Sequence, residues 1–242
     1  MKKRFYLLLL SVFVIFSSCK DKSGEYTEQL FTNAQITMAL KECIRTTADA
    51  TLNTLCVTDT TAEQKYGFYY YEEGEYKYRL ELANVVVDTL RKYDYDAQID
   101  ELILNINRAA EKCGNNIKSL FLNPMMSNIT FPNPNAVLHG GNTAITDFVK
   151  TTKQTEFMTL LTSNILAEQF KTLDIVAKWN NLQEEYYKKT GNYASIEILP
   201  ATAQQLVNQF FKRMGVVETA VRKDPTLRGN PNGLFYKVFA TL

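Results

Sequence analysis

Thr32-Asn-Ala-Gln35-Ile36-Thr-Met-Ala-Leu40-Lys-Glu-Cys43-Ile44, running on through Ala48, Leu52 and Leu55, is the stretch that decides the fold. Thr32 followed three residues later by Gln35 is a capping box, in which the hydroxyl accepts one free amide of the helix start and the glutamine side chain returns to another. Apolar residues then recur every three or four positions, the spacing of a helix laid on a core, which predicts a helix over about 33–56. Beyond a polar break at Thr58–Gln64, Gly67-Phe-Tyr-Tyr-Tyr71 and Tyr76-Lys-Tyr-Arg-Leu80 flank a glycine-bearing turn, so one short β-hairpin is expected over about 67–80. Its tyrosines suit cover for a neighbouring core better than a platform for a sugar or base.

Helical periods resume in 82–93 and 97–113, with Gly114 expected as a terminator, and continue over 117–126 until Pro132 and Pro134 force an irregular link. Gly140 and Gly141 make a helix-breaking turn before Asn142 or Thr143 caps the next helix, and Asp147 falls in its first turn, where a negative charge suits the dipole. An amphipathic stretch from Phe157 to Tyr186 divides into two or three helices. A second capping box, Thr202-x-x-Gln205, opens a helix that stops at Asp224-Pro225, and a short helix closes the chain over 233–241. With no repeat and no further boundary, the fold class is all-α: a single helical-bundle-like domain over 30–242 with one hairpin.

The amino terminus speaks of location. Lys2, Lys3 and Arg4 precede a mostly apolar run from Phe5 to Phe16, shorter than the roughly 20 residues that cross a bilayer as a helix. The run closes on Phe16-Ser17-Ser18-Cys19, which resembles a bacterial lipobox: small residues admit a peptidase, and the Cys19 thiol takes a diacylglyceryl group. Residues 1–18 are therefore expected to be a lipoprotein signal peptide and 19–29 a flexible tether. At about 0.8 kcal/mol per buried methylene, the acyl chains of Cys19 would hold the protein on a membrane. Lys20 rather than Asp after the cysteine resembles sorting to the outer membrane, with the periplasmic or surface face left open.

Apolar residues at 45% and charged ones at 22% are globular values that exclude a disordered tail, a fibre and a multi-pass membrane protein. Without the three amino-terminal cations, 24 Lys and Arg face 26 Asp and Glu, which is no nucleic-acid footprint. Cys43 and Cys56 on one helix would stand about 20 Å apart at roughly 1.5 Å per residue, beyond the ~7 Å a disulfide spans. Cys113 could bridge to either, but three is odd, and core packing of the thiols is the favoured reading.

Three further stretches carry a family resemblance. Asn105-Ile-Asn-Arg-Ala-Ala-Glu111, Val137-Leu-His-Gly-Gly-Asn-Thr-Ala-Ile-Thr-Asp-Phe148 and Ala220-Val-Arg-Lys-Asp-Pro225, in this order and spacing, resemble the bacterial domain-of-unknown-function family 4197. The resemblance implies an exported helical protein, frequently a lipoprotein, with no assigned activity. It departs from the family's usual pattern at Gln209-Phe-Phe211 and in the tyrosine-rich segment.

Chemical motifs are few. His139 is the only histidine, which excludes sites needing two, and no GxSxG elbow, Walker loop or GxGxxG turn occurs, so neither a metal nor a cofactor is expected. Asn107, Arg108, His139, Thr143 and Asp147 form the candidate polar cluster. Arg108 lies close to an inward stripe and needs a carboxylate, for which Asp147 is the expected partner; an ion pair fixing two helices is favoured over a catalytic role. A helix amino terminus after His139-Gly140-Gly141 could take an anion, although a sharp bend explains the glycines more simply. These features rank a non-enzymatic envelope lipoprotein with an envelope protein partner first, a periplasmic binding module for a lipid or other apolar molecule second, and an enzyme built on Arg108, His139 and Asp147 third.

Overall fold

In the computed structural model of the chain, which describes residues 31–57 and 66–242, helix α1 spans Asn33–Leu55. The signal segment, Cys19, the tether through residue 29 and the break at Thr58–Gln64 lie outside the described residues. The capping box forms: the Gln35 amide donates to Thr32 Oγ1 at 3.2 Å and the Thr32 amide to Gln35 Oε1 at 2.9 Å. Ile36, Leu40, Cys43, Ile44, Ala48, Leu52 and Leu55 are all buried. Each such leucine or isoleucine contributes roughly 1.5–3 kcal/mol by leaving water.

The hairpin is smaller than its sequence suggests. Gly67–Tyr70 is a single helical turn, α2, and only β1 (Glu72–Glu73) and β2 (Tyr76–Lys77) pair, antiparallel, about Gly74 at φ +59°. Gly67 itself sits at φ +84°, and a Cβ there would lie 2.5 Å from Glu111 Oε1, so glycine alone admits the turn. Then come α3 (Asn84–Leu90) with a 3₁₀ turn to Tyr93, α4 (Asp96–Lys112) and α5 (Gly114–Leu120). Helix α4 ends at Lys112 with Cys113 at its cap, so Gly114 follows the helix end as expected. The same residue opens α5, and glycine is required there because its Cβ would stand 2.4 Å from that of Cys56.

A π turn at Phe121–Met125 ends this helical run, and α6 (Pro134–Leu138) starts with Pro134 in its first turn and the Asn133 side chain accepting the Ala136 amide at 3.0 Å. Helix α7 (Ala144–Leu160) passes through a second π turn, Leu161–Ile165, into α8 (Leu166–Thr172), followed by α9 (Ile175–Thr190), α10 (Ile198–Lys223) and α11 (Leu234–Phe239). The second capping box does not form. Helix α10 begins at Ile198, Pro200 occupies its first turn where an amide is dispensable, and Thr202 is buried.

Helices α1 and α10 pack together, α7 lies against α10, and α4 carries α2, α8 and α9. Phe121, Phe157, Phe210 and Phe211 fill the middle, with ring centroids 5.1–6.3 Å apart. The architecture is all-α with a two-stranded hairpin, and residues 31–242 make one unit. Extended segments between helices have no sheet to join. Side-chain amides serve them instead: Asn107 donates to the Leu80 carbonyl at 2.8 Å and accepts its amide at 2.9 Å, while Gln205 does the same for Glu81 and Gln183 for Ala194.

Cys43, Cys56 and Cys113 are free thiols, Cys43 and Cys113 fully buried. Burial pushes Cys113 up to about 12 and raises Cys43 and Cys56 as well. Among the described residues no helix is long and apolar enough to cross a membrane.

Candidate functional site

Two buried glutamates organise the polar interior. Glu218, on the inward face of α10 between Met214 and Val221, is fully buried. Its Oε1 accepts the Ile145 amide at 3.1 Å and Arg222 Nε at 2.8 Å, and its Oε2 accepts the Thr146 amide at 2.7 Å. A carboxylate from a neighbouring helix thus fills the anion site at the start of α7. Arg222 turns the other way, donating to the Leu138 carbonyl at 2.7 Å and more weakly to that of Val137 at the end of α6. Negative charge meets a helix start and positive charge a helix end, so the pair clamps both sides of the His139–Thr143 turn.

Glu111 repeats the device. Its Oε1 accepts the Tyr69 amide at 3.2 Å in the α2 turn, and its Oε2 takes Arg108 Nη1 at 2.5 Å. Arg108 also lies 5.6 Å over the Tyr70 ring. The expected partnership of Arg108 with Asp147 is therefore corrected: a nearer carboxylate, one turn along the same helix, already faces the guanidinium. Arg228 needs no carboxylate; it donates to the carbonyls of Val221, Arg222 and Phe239, tying the end of α10 to the end of α11. Burial lowers its pKa, yet the guanidinium stays charged.

The expected cluster does not converge. Among the described residues no hydrogen bond or ion pair joins Arg108, His139 and Asp147. Asn107 is occupied with Leu80 and Ile103, and His139 is exposed at the end of α6. Thr143 stands at the N-cap position of α7 without capping; its hydroxyl donates to Asp147 at 2.8 Å. The two glycines of the turn differ. A Cβ on Gly140 would meet that of Ala144 at 2.6 Å, whereas one on Gly141 would meet nothing within 4 Å.

The tyrosine-rich segment is covered by cations. Arg79 lies 4.3 Å over Tyr69, Arg213 5.3 Å over Tyr71 and Lys212 4.4 Å over Tyr76, contacts worth about 0.5–1 kcal/mol each where exposed. Among the described residues no three His, Cys, Asp or Glu side chains gather as metal ligands.

Neither a curated protein nor a solved structure matches the chain. A family described as a protein of unknown function, DUF4197, matches residues 30–240, nearly the whole length of the chain. The chain belongs to that family.

Proposed function

We propose that this protein is a lipid-anchored component of the bacterial envelope, held on a membrane through Cys19, that acts by contact with an envelope partner rather than by catalysis. The anchor is supported by sequence: three cations, a short apolar run and a small-small-Cys junction. The contact role rests on one structural observation. The buried carboxylates Glu111 and Glu218 spend their oxygens on helix amides and an adjacent arginine, and charges so committed hold helices in place rather than await a substrate. Labelled palmitate entering the wild type but not a Cys19→Ala variant is the expected result; equal labelling of both, or of neither, overturns the anchor. In-cell crosslinking from surface positions of α3 and α9 should then trap a membrane-associated protein.

A second reading has its own observation. A groove of about 510 Å³ runs between α1 and α11, lined by Met38, Ala39, Leu227, Leu234 and Phe235, and its size suits a small apolar ligand. Native mass spectrometry decides for it if the purified protein retains a small molecule, and against it if the mass is that of the acylated chain alone.

A further inference from the structure

Helix α1 opens just after Phe31, where residues 20–30 arrive from Cys19. End to end, those residues reach at most about 40 Å. A domain of this length has a radius of gyration of about 17 Å, so its far side would come to a bilayer anchored at Cys19 only with the link drawn taut around it. The surface beside the start of α1 would meet the lipid first.

That surface is apolar. Met38 stands about 9 Å along the helix from Thr32 and is 62% exposed. Across the groove between α1 and α11, Leu227 of the 3₁₀ turn Pro225–Arg228 is 45% exposed, and Leu234 and Tyr236 are half-buried at its edge. Large apolar side chains gathered at one rim, unlike those scattered singly, mark a surface that something covers. Glu42, an acid in the lining, is ion-paired with Arg45 at 3.5 Å, so its charge is compensated. Val85 and Val176 are comparably exposed, but they belong to α3 and α9, which pack on each other, with α9 on α4. That side is left for a protein partner.

We propose that, in the protein anchored through Cys19, the reading on which this rests, the rim of the α1–α11 groove lies on the bilayer, with Met38 and Leu227 inserted among the headgroups and upper acyl chains. A depth of about 5–10 Å is what interfacial apolar faces reach without spanning. The acylated full-length protein is photolabelled in vesicles of phosphatidylethanolamine and phosphatidylglycerol doped with a phosphatidylcholine that carries a diazirine near the headgroup end of one acyl chain. Adducts are mapped by peptide mass. They are expected on the peptide that begins at Cys19 and on those holding Met38 and Leu227, and not on those of α3 and α9. Met38→Asp combined with Leu227→Asp, at exposed positions that leave the thermal midpoint in place, should cut labelling of the domain about tenfold, while the Cys19 peptide keeps its adduct. Adducts on the Cys19 peptide alone overturn the docking face, keep the anchor, and leave the groove to a small ligand or a protein. Labelling spread equally over α3 and α9, or undiminished in the double variant, overturns it too. A protein that does not float with the vesicles overturns the anchor itself, and the docking face falls with it.

Discussion

Glu218→Ala removes the acceptor shared by the Ile145 amide, the Thr146 amide and Arg222 Nε, at 3.1, 2.7 and 2.8 Å. The carboxylate is fully buried and the Arg222 side chain 6% exposed, so water has poor access to the groups left behind. Each orphaned amide costs about 1–3 kcal/mol. Stripping one partner from a buried ion pair costs about 3–5 kcal/mol. These costs overlap, since α7 can fray and admit water, and Arg222 keeps the carbonyl of Leu138 at 2.7 Å. The expected loss is therefore about 4 kcal/mol, a large share of the roughly 5–15 kcal/mol that a domain possesses. Glu218→Gln retains an amide acceptor but not the charge and should lose about half as much. The assay is urea unfolding followed by far-ultraviolet circular dichroism, with the slope compared between variants. Asp88→Ala, on the exposed face of α3, serves as the control and should shift stability by no more than about 0.5 kcal/mol. A loss below about 1 kcal/mol for Glu218→Ala, at unchanged slope, would refute the idea that this carboxylate holds the start of α7.

Other consequences follow from the same contacts. Asn107→Ala leaves both backbone groups of Leu80 without partners, so a loss of about 2–3 kcal/mol and faster hydrogen exchange at the Leu80 amide are expected. Gly140→Ala should cost about 1–3 kcal/mol because its Cβ meets Ala144, whereas Gly141→Ala, in open space and without positive φ, should be neutral or gain up to about 1 kcal/mol; thermal melts of the two compare them. The buried thiols of Cys43 and Cys113 should resist a thiol reagent at pH 8 in the native state and react on unfolding, read by peptide mass mapping. Their native pKa values are raised, so their contribution is fully present below the unfolded value of roughly 8.5. It is lost as pH climbs from there toward about 12, the native value of Cys113, and stability should fall with alkali over that span.

What the sequence made legible was local. Helix α1 was readable because its cap and its stripe both lie within one segment, and the stop at Asp224-Pro225 because proline acts on its own neighbours. Gln205 misled because its glutamine matches a capping box, yet it reaches the backbone of Glu81, 124 residues away. Gly114 was legible as a helix end, but its second reason, the close approach of Cys56, was not, because that residue lies far off in sequence. The tyrosine run was read as strand, but the carboxylate of Glu111 captures the Tyr69 amide and curls the segment into a turn.

The clamps themselves went unread for the same reason. Glu218 serves amides 72 and 73 residues away, and no spacing rule links them. One signal was present: Glu111 and Glu218 fall on otherwise apolar helix faces, where an acid must find a partner. Arg108 drew attention on that ground, and the answer lay three residues further along its own helix.

The most direct measurement is the intact mass of the protein extracted from bacterial membranes. The account predicts a polypeptide that begins at residue 19 and carries the added mass of diacylglyceryl and acyl groups, lost together in the Cys19→Ala variant. A chain recovered from the soluble fraction with its first eighteen residues still attached would contradict it.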